Sequence, residues 1–246
     1  MKADPAVQLR LLDLQSADTA LTQLRHRREH LPELAAISAS EQQTEQLRGE
    51  ALELQAQVDD VTDDQRRLEN EIDAVQTRAK RDEQRLTTGG LPAKELEGLQ
   101  HEITTLARRQ SSLEDDVLDL MERRENLDAR FASITQRQAA LAREHADLNA
   151  ARESAFAEID AGLATEHAER SEIARELPSD LLALYDKIRA GGGGVGAAML
   201  RHWRCEGCHL ELAGSELNAV RAAPPDAIVR CENCRRILIR TAESGL

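Results

Sequence analysis

The chain's four cysteines form two Cys-x-x-Cys pairs, Cys205/Cys208 in "WRCEGC" and Cys231/Cys234 in "VRCENC". The 22 residues between the pairs give close to the spacing of a four-thiolate metal site. Two intervening residues let both thiolates of a pair reach one ion while the backbone turns to donate N–H bonds to sulfur. Gly207 and Asn233 are residue types that turn readily. Each pair has strand-like flanks: "VGAAMLRHW" and "AIVR" lead in, Leu210 with Leu212 and "RRILIR" lead out. The pattern predicts two hairpin knuckles around one ion, a four-cysteine zinc ribbon over residues 191–246. Four sulfurs fill a tetrahedron, so one structural Zn2+ is expected, with no open position for catalysis. Iron in a rubredoxin-like site is the main competitor. Disulfides suit an oxidising compartment, and a redox dithiol needs a thioredoxin-like βαβ unit that the pattern lacks.

Six of the tail's seven arginines surround the knuckles: Arg201, Arg204, Arg230, Arg235, Arg236 and Arg240. Two roles stand open for them. They suit contact with phosphates or with the acidic surface of a protein, and they equally suit compensation of a doubly negative metal–tetrathiolate centre. His202 and Trp203 have the chemistry to stack on a base; Trp203 is assigned instead to the core of the tail. "GGGGVG" (191–196) formally contains Gly-x-Gly-x-x-Gly, but it follows a helix and not a strand, so it is taken as a break between arm and tail.

What must carry this tail is a long acidic segment. Leu47, Ala51, Leu54, Val58, Val61, Gln65, Leu68, Ile72, Val75, Ala79, Asp82 and Leu86 follow strict 4,3 spacing, the period of a left-handed coiled-coil seam. Leu99, Leu106, Leu113, Leu120, Leu127, Ile134, Leu141 and Leu148 then recur every seven residues. Their companions include Gln110, Arg124, Gln138, His145 and Arg152, which a half-exposed stripe tolerates. Between the arms, "TTGGLPAKE" reverses the chain near 87–92, because Gly-Gly-x-Pro cannot continue a helix. The prediction is a mainly α protein: an antiparallel two-helix coiled-coil hairpin over 1–176, with a kink or register change at Pro32. A short helix over 177–190 should pack at the hairpin base near Leu9–Leu24, followed by the small β zinc ribbon.

Bulk properties agree. Aromatics are 2% and charged residues 31%, too few rings for one large globule and typical of long helices. Net charge is −13, while residues 191–246 alone carry seven arginines and six carboxylates, so the acidity belongs to the arms. An acidic rod repels nucleic acid, and any such contact is expected at the ribbon. No 18-residue apolar run and no signal-peptide pattern occur, so no membrane association is expected and a cytoplasmic location is. No phosphate-binding, metalloprotease or hydrolase motif occurs. The expected protein is a non-enzymatic adaptor that binds protein partners and no small-molecule substrate. Nucleic-acid binding through the ribbon is the alternative.

"KELEGLQHEI" (94–103), "LPSDLLALYDKIR" (177–189) and "CEGCHLEL…VRCENCRRIL" together resemble a bacterial family of zinc-ribbon proteins with a long N-terminal coiled-coil hairpin. The family usually has Gly after the first cysteine pair, where this chain has His209. The resemblance implies partners among transcription and flagellar or secretion proteins, with a link to nucleic acid in some members.

Overall fold

The helix boundaries follow the local signals. The computed structural model describes all residues, 1–246. Helix α1 (Pro5–Glu29) opens on Pro5 and is capped by Asp4, whose carboxylate accepts from the Ala6 N–H at 2.8 Å. It stops at His30, and Pro32 starts α2 (Pro32–Thr88). Gly89 and Gly90, both at positive φ (75° and 86°), turn the chain into α3 (Ala93–Glu176). Pro178 caps α4 (Ser179–Gly191).

Residues 35–149 form one unit, in which α2 and α3 run antiparallel. Leu47, Leu54 and Val61 of α2 and Leu127, Ile134 and Leu141 of α3 share a buried core, with Ala51, Val58, Leu120 and Phe131 half-buried against it. Of the polar seam residues, Gln110, Gln138 and His145 are half-buried and Arg124 is exposed. Gln138 donates from Nε2 to the Leu47 carbonyl at 3.1 Å, and Arg109 pairs with Glu71 at 3.2 Å. Asp82 is a polar intrusion near the turn, 5% exposed, with Arg85 3.8 Å away.

Residues 1–34 and 150–246 form the other unit. Strands β1 (Ala197–Arg201), β2 (Arg204–Cys205), β3 (Val229–Arg230) and β4 (Ile237–Ile239) make one sheet in the order β2-β1-β4-β3. The central pair, β1 and β4, is parallel, with Ala197 opposite Ile237 and Met199 opposite Ile239. Strand alternation then divides the side chains between two faces. Ala197, Ile237 and Ile239 pack with Leu11 and Leu14 of α1, Ile173 and Leu177 at the end of α3, and Leu181 and Tyr185 of α4. Ala198, Leu200 and Leu238 pack on the other side with Cys205, Cys231, Leu212 and Val220.

Three features depart from the sequence reading. Leu210–Leu212 contributes only an isolated bridge, Arg204 to Glu211, because the chain leaves to form a short helix, α5 (Gly214–Ala222). The N-terminal residues pair with the segment leading into β3: Lys2 forms an isolated bridge with Ala227, and Ala3 N–H donates to the Asp226 carbonyl at 2.8 Å. The glycine run, read as a break, is closely packed at Gly192 and Gly196, while Gly191, Gly193 and Gly194 meet no neighbour. Gly193 and Gly194 make the turn at positive φ (67° and 89°), and a Cβ on Gly196 would lie 2.7 Å from the Tyr185 ring and 2.8 Å from its carbonyl.

A buried polar network crosses this unit. Asp18, with no exposure, accepts from Arg170 Nε at 2.7 Å and from the Tyr185 hydroxyl at 2.8 Å, and Arg189 lies 3.1 Å away. Gln15 Oε1 accepts from Tyr185 Oη at 3.1 Å and from the Gly196 N–H at 2.7 Å. Burial, followed by the bond to Asp18, pushes the Tyr185 hydroxyl far above its ordinary pKa and keeps it a donor. The Gly196→Ala variant is expected to lose about 1–3 kcal/mol of stability, since its methyl must displace a packed ring and a backbone carbonyl. Denaturant unfolding followed by circular dichroism measures this loss. Gly193→Ala, which meets no neighbour but sits at positive φ, separates backbone strain from overpacking.

Candidate metal centre

Each knuckle closes with the same two backbone bonds. In the first, His209 N–H donates to the Cys205 carbonyl at 2.7 Å and Cys205 N–H to the Leu210 carbonyl at 3.0 Å. In the second, Arg235 N–H donates to the Cys231 carbonyl at 2.8 Å and Cys231 N–H to the Arg236 carbonyl at 3.0 Å. The residue after each pair must take a left-handed backbone, and both His209 and Arg235 have φ of 61°. Glycine adopts this conformation at least cost, which is the physical sense of the family's usual Gly where His209 stands.

The knuckles face each other. All four Sγ atoms lie within 4.8 Å of one another, with Cys205–Cys234 and Cys208–Cys231 at 3.8 Å. A tetrahedral zinc with bonds of about 2.3 Å to sulfur has sulfur–sulfur edges of about 3.8 Å, so the cage fits the ion. The cysteines are free thiols; Cys205 and Cys231 are buried, and Cys208 and Cys234 are half-buried. Burial pushes the Cys205 and Cys231 thiols above the ordinary range. Burial acts the same way on Cys234, but the Arg236 backbone N–H and the neighbouring sulfurs outweigh it and hold this thiol lower. Cys205, Cys208, Cys231 and Cys234 would hold a metal as thiolates, and the ion would supply cross-linking free energy to a small fold.

The surroundings correct the reading of the arginines. Arg236 is turned inward: it donates to the carbonyls of Gly207, Gly192 (2.6 Å) and Val195 (3.2 Å), tying the first knuckle to the glycine run. Arg240 donates to five carbonyls, those of Val220, Ala223, Pro224, Pro225 and Ala227, at 2.7–3.3 Å, and closes the end of α5. Both guanidiniums donate to backbone carbonyls of the ribbon. Arg201 pairs with Glu243 at 2.8 Å, and Arg204 Nε donates to the His209 carbonyl at 2.7 Å. Arg230 and Arg235 are exposed and make no ion pair. Trp203 is not tail core. It is 50% exposed on the two-residue turn between β1 and β2, where His202 and Trp203 both have positive φ (44° and 62°), and its Nε1 donates to the Gly245 carbonyl at 2.7 Å. Sequence reading also passed over Glu216, 4% exposed in the first turn of α5, which accepts from the Glu232 N–H at 2.8 Å and anchors the second knuckle.

Residues 14–193 match the family model for the CT398-like coiled coil hairpin domain, and residues 204–238 match that for the C4-type zinc ribbon domain. The chain belongs to the CT398-like coiled-coil hairpin family. It is 39% identical over 240 residues to protein Rv2229c of Mycobacterium tuberculosis, covering 98% of each chain. A solved structure from Mycobacterium smegmatis is similar at a TM-score of 0.86 and 34% identity, over 98% of this chain and 100% of that one. CT398 from Chlamydia trachomatis, 20% identical, shares the fold at a TM-score of 0.69 over 96% of this chain and 98% of its own.

Thiolates bind the metal and protons compete for them, so affinity falls as pH falls. Stepwise acidification of the metal-loaded protein should therefore release zinc together with the loss of ribbon structure, read by a chromogenic chelator and near-ultraviolet dichroism. Zinc retained down to a pH at which the helices also melt would contradict this ordering.

Proposed function

We propose that this protein is a non-enzymatic adaptor that presents its hairpin to protein partners, with one structural Zn2+ holding the ribbon. The observation that carries the reading is the one-sided seam of residues 35–149. Pairing two helices buries one line of side chains, such as Leu54, Leu113 and Leu127, and leaves a second line half-covered. Leu118 and Met121, one turn apart on α3, are 58% and 43% exposed, and Leu52 is 72% exposed. Such a surface suits the apolar face of a partner helix. The four-thiolate cage supports a structural metal, since it offers no vacant ligand position for water. Cys-x-x-Cys pairs placed to hold a metal suit a reducing compartment, and we propose the cytoplasm. No helix is long and apolar enough to cross a membrane.

Affinity capture from native cytosol, with and without nuclease, tests the reading. Protein partners should persist after nuclease treatment and be lost with the Leu118→Glu/Met121→Glu variant, whose helicity and one-to-one zinc content stay unchanged. Capture that disappears with nuclease, or no capture at all, counts against it.

A second reading has its own support: Arg230 and Arg235 are unpaired and Trp203 is half-exposed, a combination that suits phosphate contact with base stacking. Single-stranded RNA and duplex DNA titrated at several salt concentrations would decide it. Arg230→Ala with Arg235→Ala should lower the salt slope by about one per lost phosphate contact. A ribbon that ignores both nucleic acids at low salt ends the idea.

A further inference from the structure

The sheet has a metal cage on one face and the foot of the hairpin on the other, and a single guanidinium reaches across the joint. We propose that metal loading of the ribbon and closure of the three-helix foot are one coupled equilibrium, with Arg236 as the positioning residue that links them.

The chain of contacts is continuous. Gly207 lies inside the first Cys-x-x-Cys, so its carbonyl is placed only when that knuckle is wound. Arg236 reads this carbonyl and also those of Gly192 and Val195. There is no spare room around it: a Cβ on Gly207 would lie 2.7 Å from Arg236 Cδ. The glycine run held by Arg236 delivers the Gly196 N–H to Gln15, which shares the Tyr185 hydroxyl with Asp18. Asp18 in turn receives Arg170 of α3. The apolar side repeats the link, since Ala197 and Ile237 of the sheet share one buried cluster with Leu14, Leu181 and Tyr185.

Losing the metal unwinds the knuckle and releases Arg236, after which the Gly196 N–H and the buried Asp18 lose their fixed donors and acceptors. A buried carboxylate with disordered partners is costly, so α4 and the start of α1 open with the ribbon. By linkage, a fault that favours opening of the foot should weaken metal binding at the cage.

Hydrogen exchange of the full chain, with bound zinc and after its removal by chelator, tests the coupling. Amides of α4 and of residues 8–18 should exchange at least about tenfold faster without metal, while those around Leu54 and Leu127 keep their protection. The Arg236→Ala variant, still binding one zinc per chain, should show in α4 the exchange of the metal-free protein. Tyr185→Phe keeps the ring and removes the hydroxyl, and it should lower zinc affinity about five- to a hundredfold in chelator competition. That measurement stands if Arg236→Ala does not fold. Unchanged α4 protection on metal removal, or unchanged zinc affinity in Tyr185→Phe, overturns the proposal.

Discussion

The parallel pairing of β1 with β4 is the contact on which this structure depends. A ribbon of about 55 residues has too little apolar volume to fold by itself, and a two-helix hairpin has only one line of side chains to bury. Within the unit of residues 1–34 and 150–246, one sheet gives the ribbon a cover on each face. Ala197, Ile237 and Ile239 complete a core with α1, the end of α3 and α4, and on the reverse face Ala198, Leu200 and Leu238 back the metal cage. Removing either layer leaves the other with an uncovered face.

The polar network in the foot is best understood as a register device. Asp18 is fully buried between two guanidiniums and a phenol. Taking such charges out of water costs several kcal/mol per ion, which the mutual attraction and hydrogen bonds roughly offset, so little net stability follows. What does follow is selectivity. Sliding α1, α3 or α4 by one turn would leave a buried carboxylate without its donors, a penalty that an all-apolar foot would not impose. Burial works against the Arg170 guanidinium and the bond to Asp18 outweighs it, raising its pKa, so the guanidinium stays charged.

The arms and the clustering of the four cysteines were legible because both rest on local signals. Strict 4,3 spacing places Leu54, Val61, Leu113 and Leu127 in the core whatever lies elsewhere in the chain, and Cys-x-x-Cys carries its own turn. Long-range contacts were not legible. Nothing near Arg236 or Arg240 announces that their partners are carbonyls up to 44 residues away. Trp203 is the only tryptophan in the chain, and its apolar bulk suggested core. Its place outside is set by a strained turn braced from Ser244 and Gly245. The helix α5 had a weak signal in Leu217 and Val220 ahead of Pro224–Pro225, and it was masked by the expectation of a strand after each knuckle. The N-terminal bridge at Lys2 leaves no pattern in so few residues.

The backbone of the ribbon carries strain that a structural metal would offset. All four non-glycine residues with positive φ in the chain, His202, Trp203, His209 and Arg235, belong to it. Each such residue costs on the order of 1–3 kcal/mol, so together they consume a sum comparable to the whole stability of a small domain. Short strands of two to five residues do not supply that. A structural zinc contributes about 10–16 kcal/mol in peptide systems at neutral pH, a magnitude large enough to hold three strained turns and still favour the folded state. His209 and Arg235 are strained by the winding that aims their cysteines inward. The strain and the ion that balances it are therefore two sides of the same geometry.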